Sequence, residues 1–132
     1  MTPKRAKAHL LVVTVLLTAC GSSSPVKAAF EDGVAAIRET HDSVRLRAEL
    51  RQTVARLRAA HDREGRRLAL RGFEATLQGV QAQIDFVAND RGNIRAATRD
   101  ARREDAGLSR GARLLRRAGR ALGVRVGVLN GY

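Results

Sequence analysis

The sequence predicts an all-α fold: a long, coiled-coil-like antiparallel helical hairpin, followed by a short basic amphipathic helix and an extended tail. Three observations point there. Apolar residues recur at three- and four-residue steps along most of the chain, which is the period of a helix face and not of a strand. Large rings are almost missing, with Phe30, Phe73, Phe86 and Tyr132 as the whole set, so slender helices packed along a seam are favoured over a thick aromatic core. Turn chemistry is confined to a few short stretches.

The first helix is expected to begin at Ser24-Pro25, an N-cap followed by proline at the first helical position, where its missing N–H costs nothing. Val34, Ile37, His41 and Val44 step 3-4-3, and Leu50, Val54, Leu57 and His61 step 4-3-4. The six-residue step from Val44 to Leu50 interrupts the register. His61-Asp62-Arg63-Glu64-Gly65 reads as the turn, with Gly65 able to take a left-handed conformation.

The second helix carries the clearest pattern: Phe73, Leu77, Val80, Ile84 and Val87 step 4-3-4-3, and the register continues through Arg91 to Ile94. Asn89-Asp90-Arg91-Gly92-Asn93 has turn-like composition, but the surviving register favours one continuous helix. It is not a calcium loop. With Gly92 as the sixth position, the first and fifth are Val87 and Arg91, and neither supplies a side-chain oxygen. Gly107 then reads as a stop and Ser109 as the next N-cap.

From Leu108 onward, Leu108, Ala112, Leu115, Gly119, Leu122 and Val126 alternate with Arg110, Arg113, Arg117 and Arg120 as two offset stripes. That is a basic amphipathic helix. The tail alternates like a strand with nothing to pair with, and is expected to fray, to dock on the hairpin or to add to a partner. The repeated G-x-x-x-G of Gly119, Gly123 and Gly127 does not mark a membrane span, because Arg120 and Arg125 make burial there costly.

The first twenty residues address the chain. Lys4, Arg5 and Lys7 precede an apolar run of ten residues, Leu10 to Ala19, too short for a spanning helix of about 20. Leu17-Thr18-Ala19-Cys20 resembles the lipobox of bacterial lipoproteins, in which small residues precede a cysteine that is lipidated and becomes the mature N-terminus. The resemblance covers residues 1 to about 24. It implies cleavage after Ala19, a diacylglyceryl group (and with it palmitate-type acyl chains) on Cys20, and attachment to the cell membrane outside the cytoplasm. Gly21, Ser22, Ser23 and Ser24 suit a flexible tether, and the single cysteine rules out a disulfide within a monomer. The expected organisation is a signal peptide (1–19), a lipidated cysteine and tether (20–25), the hairpin (26–105) and the basic helix with its tail (106–132).

The whole chain carries a formal charge of +12. Losing Lys4, Arg5 and Lys7 with the leader leaves 22 basic against 13 acidic residues, or +9. Six of those charges come from Arg110, Arg113, Arg116, Arg117, Arg120 and Arg125, in a segment from Ala106 that contains no acid. A charge of that sign and placement implies an anionic partner. Arg110, Arg113, Arg116, Arg117 and Arg120 are the candidate contact residues for anionic lipid or an acidic envelope polymer. Nucleic acid is not expected as the partner, since export removes it and no aromatic residues are interleaved to stack bases. A protein partner or a second copy of the chain can use the hairpin seam.

Catalysis is not expected. The chain lacks a nucleophile elbow, a zinc-binding H-E-x-x-H and a phosphate-cradling glycine loop. His41 and His61 are each followed by Asp, but adjacent helical residues do not share a face, and twenty residues of one helix put the two about 30 Å apart. No metal and no cofactor is therefore assigned.

The sequence thus reads as a non-enzymatic, lipid-anchored envelope protein. In plan it is similar to the small murein lipoproteins, but it ends Asn130-Gly131-Tyr132 and lacks their terminal lysine for attachment to peptidoglycan. The alternative is a basic cytoplasmic nucleic-acid-binding helical protein with an accidental lipobox.

Overall fold

The computed structural model describes residues 24–62, 64–89 and 91–129, and the expected signal peptide (1–19) and Cys20 lie outside them. Among these residues four helices follow in order: α1 (Pro25–Glu39), α2 (Ser43–Ala59), α3 (Arg66–Asn89) and α4 (Ile94–Leu122). Among the described residues there is no strand. The all-α class and the antiparallel hairpin are both present, the latter repeated, since each helix packs against the next along the chain.

α1 begins where local chemistry places it. Ser24 accepts from the Lys27 amide (3.1 Å) with Pro25 at the first helical position, and Asp62, 36 residues on, accepts from the Val26 amide at 3.4 Å. The start of α1 is thereby tied to the turn after α2.

The long first helix expected from 26 to about 60 is instead two. Thr40 is extended, and Asp42 caps α2 by accepting from the Arg45 amide at 2.7 Å. This break accounts for the irregular step after Val44. Val44 is 56% exposed, while Leu46 and Leu50, after the new start, are buried. At the other end of α2, Gly65 takes its expected left-handed conformation (φ +69°), and Arg66 donates to the Leu57 and Arg58 carbonyls at 2.6 and 2.9 Å.

α3 has two working faces. Phe73 and Val80 are fully or nearly buried on the side of α1 and α2, with Phe73 meeting Phe30 edge-on at 5.7 Å and Leu77 and Ile84 packed against the same core. The seam stops there, for Val87 is 69% and Ile94 80% exposed. Beyond it the helix ends: Gly92 sits at φ +116°, a conformation side chains resist, and Asn93 caps α4 by accepting from the Ala96 amide at 3.1 Å. The continuous helix expected across 89–93 is thus replaced by a turn.

The second face of α3 is made of small residues and belongs to α4. Gly65, Gly72 and Gly79 recur at a step of seven and receive Leu122, Leu115 and Leu108, which recur at the same step in the opposite chain direction. A Cβ on Gly79 would stand 2.9 Å from the backbone nitrogen of Leu108, and one on Gly107 would stand 2.6 Å from that of Gly79. The two backbones are in direct contact. Gly107 therefore does not stop a helix; it lets α4 run through positions 105–109 without interruption, and the boundary expected at 105/106 falls inside α4. The short basic helix is the second half of this 29-residue element.

α4 ends in a Schellman motif: Gly123 is left-handed, Val124 donates to the Gly119 carbonyl at 2.8 Å and Gly123 to that of Arg120 at 3.5 Å. The tail is docked. Val126 lies over Gly119, Arg38 of α1 reaches Gly127, and Val126 and Leu129 join the core beside Phe30.

Candidate arginine line on the last helix

α4 presents opposite faces of very different chemistry. Gly107, Gly111, Leu114, Leu115 and Ala118 are buried toward α3 and the core. Arg110, Arg113, Arg117 and Arg120 are all exposed, and none makes an ion pair with a described residue. Arg116, grouped with them in the sequence, is half-buried at the flank of the line. Arg125 is exposed on the tail.

Because α4 is continuous, the line is longer than the sequence suggested. Arg95, Arg99 and Arg102 are exposed on the same side, and at 3.6 residues per turn the seven arginines from 95 to 120 fall within about 80° of arc over about 38 Å. Exposed Ala106 occupies the one gap. The missed signal was already in the text as a 4-3 spacing ahead of Gly107, hidden by reading that glycine as a terminus.

Acids on α4 are turned away from the line or sit beside it. Asp100 is 1% exposed, accepts from the Asn89 amide nitrogen at 3.1 Å and lies 3.4 Å from Arg103, clamping the end of α3 to the start of α4. Arg99 lies 3.8 Å from Asp100, and Arg103 also lies 3.9 Å from Asp85. Arg95, Arg99, Arg102 and Arg103 with Ile94 and Thr98 line a shallow groove of about 460 Å³.

Glu104 is the one acid here whose carboxyl is raised above its ordinary 4.5, first by partial burial and then by neighbouring Asp105. The folded state then holds that proton more tightly than the unfolded chain does. Its contribution therefore lowers stability as pH rises through the range starting near the ordinary value. Glu104→Gln is expected to raise the melting temperature at pH 7 and leave it unchanged near pH 3, as thermal unfolding at the two pH values would read.

A cleft of about 720 Å³ lies between α1 and α2, lined among others by Asp32, Glu39, His41, Asp42, Arg45, Glu49 and Arg56. Its charges largely satisfy one another. Arg56 meets Asp32 at 2.7 Å, Arg45 meets Glu49 at 3.2 Å, and Thr40 donates to Glu49 at 2.7 Å. His41 and His61 are exposed in the turns at opposite ends of α2, and the described residues contain no cluster of three or more potential metal ligands. Nor is any described helix long and apolar enough to cross a membrane.

Compared with protein-family models, with curated proteins and with solved structures, the chain matches none.

Proposed function

We propose that this chain is a non-enzymatic lipoprotein of the bacterial envelope, tethered outside the cytoplasm by lipid on Cys20, whose last helix grips an anionic partner. The observation that carries the grip is the run Arg110, Arg113, Arg117 and Arg120, exposed and without an ion pair to any described residue. Exposed guanidinium groups without acidic partners keep their full attraction for external anions, each contributing about 1 kcal/mol or less near a charged surface. The lipobox-like Leu17-Thr18-Ala19-Cys20 carries the anchor.

Cells fed a labelled fatty acid test the anchor. The protein is expected to carry the label and fractionate with membranes, and Cys20→Ala to lose both. An intact Met1 start with unmodified Cys20, read by mass spectrometry, would return the chain to the basic nucleic-acid-binding alternative.

A further inference from the structure

We infer that the partner of α4 is a linear polyanion with phosphate or phosphodiester repeats, held end to end along all seven arginines from Arg95 to Arg120; this rests on the anionic grip proposed above. Three features of the molecule select a polymer over a bilayer.

The first is that the leucine stripe of α4 is not free to enter a lipid interface. A basic amphipathic helix enters a lipid interface by burying its apolar side among acyl chains, whereas Leu108, Leu115 and Leu122 are already seated on the glycines of α3. Apart from Ile94 at its first position and single alanines, α4 leaves charge for the partner. The second is the shape of the charge. Positive residues form a line about 38 Å long and one side chain wide, with guanidinium groups about 5 Å apart along the axis in each half. α4 holds nine arginines against three acids, while neighbouring α3 holds three against two. A broad anionic plane would also meet the acids flanking the line, such as Asp85, 3.9 Å from Arg103, and exposed Asp105, whereas a single polymer strand can follow the arginines themselves. The third is the shallow groove formed by Arg95, Arg99, Arg102 and Arg103, which gives the distal half of the line a place for a chain to lie.

A strand bound this way releases condensed counterions in proportion to the charges neutralised, with a salt slope of about −0.7 per contact for single-stranded polyanions. Seven contacts give about −5. The test titrates the full chain in neutral detergent against fluorescently labelled inorganic polyphosphate over a range of salt, reading anisotropy. Three variants are compared. Arg95→Gln with Arg99→Gln and Arg102→Gln is expected to bring the slope to about −3, and Arg110→Gln with Arg113→Gln, Arg117→Gln and Arg120→Gln to about −2. Arg38→Gln with Arg45→Gln and Arg51→Gln removes three charges from α1 and α2 and is expected to leave the slope near −5. Circular dichroism confirms that all three variants fold.

If the 95–102 variant binds like the parent, or if the α1–α2 control loses as much slope, there is no seven-residue line and the inference fails while the grip by the C-terminal arginines stands. Binding to anionic vesicles without binding to polyphosphate overturns it in favour of a bilayer. Binding to neither removes the anionic grip itself, and none of these results touches the anchor, which rests on Cys20.

Discussion

Replacing Gly107 by leucine is expected to cost about 3 kcal/mol or more, lowering the melting temperature by at least roughly 12 °C, because no rearrangement of side chains can make room for it. Overpacking a core normally costs about 1–3 kcal/mol, and the low end of that range applies when flexible neighbours give way. Here the obstacles are the backbone nitrogen and Cα of Gly79 and the backbone oxygen of Ala75, so the two helices must move apart. Separation would strip the seats of Leu108, Leu115 and Leu122 together. Alanine isolates the effect. In an exposed helix Gly→Ala stabilises by about 1 kcal/mol, so a destabilised Gly107→Ala identifies the close approach as the cause. A domain of this size converts 1 kcal/mol into about 4 °C or slightly more, which makes both variants measurable by thermal melts followed at the helical band. Melting at or above the parent temperature would show that α3 and α4 are not in backbone contact.

The second large effect is on binding and leaves stability alone. Arg110, Arg113, Arg117 and Arg120 are exposed and make no ion pair with a described residue, so changing all four to Gln breaks no contact that holds α4 in place. At about 1 kcal/mol each near an anionic partner, the quadruple variant is expected to bind about a thousandfold more weakly at low salt. The diacyl anchor proposed above would mask this loss, because lipid by itself holds a protein to any bilayer. A soluble form beginning at Gly21, which retains every described residue, avoids the masking. An unchanged affinity, or equal binding to neutral and anionic vesicles with no binding to acidic polymer, would leave the arginines as a merely solvated face.

How much of this was legible depended on whether the signal was local. Ser24-Pro25 and the 61–65 turn were readable because a cap, a proline or a left-handed glycine acts within a few residues. The Phe73, Leu77, Val80 and Ile84 seam was readable because one face of one helix carries it. Asp42 was overlooked because an apparently continuous apolar register ran over it, although Thr40-His41-Asp42-Ser43 contains an N-cap, and the same bias towards register hid the cap at Asn93. Gly107 fails for a deeper reason. A missing Cβ looks the same in sequence whether it serves a left-handed helix end or lets another backbone come close, and only the partner distinguishes them. That partner was written in the chain as glycines 65, 72 and 79 against leucines 108, 115 and 122, two repeats of seven that acquire meaning only when read together. With Gly107 taken as an end, Arg95, Arg99 and Arg102 could not be joined to the arginines beyond it.

The docked tail has a consequence for when the fold can form. Val126 joins the core beside Phe30, 96 positions earlier, and Leu129 belongs to the same core, so the first helix shares its core with residues far along the chain. Contacts that distant in sequence must close a long loop before they stabilise anything. A growing chain with residues 126–129 still in the ribosome exit channel therefore has an unfinished core, whatever helices it has already formed. Under the export proposed above, that delay would keep the polypeptide threadable until residues 126–129 are released, with the order of its own residues setting the timing.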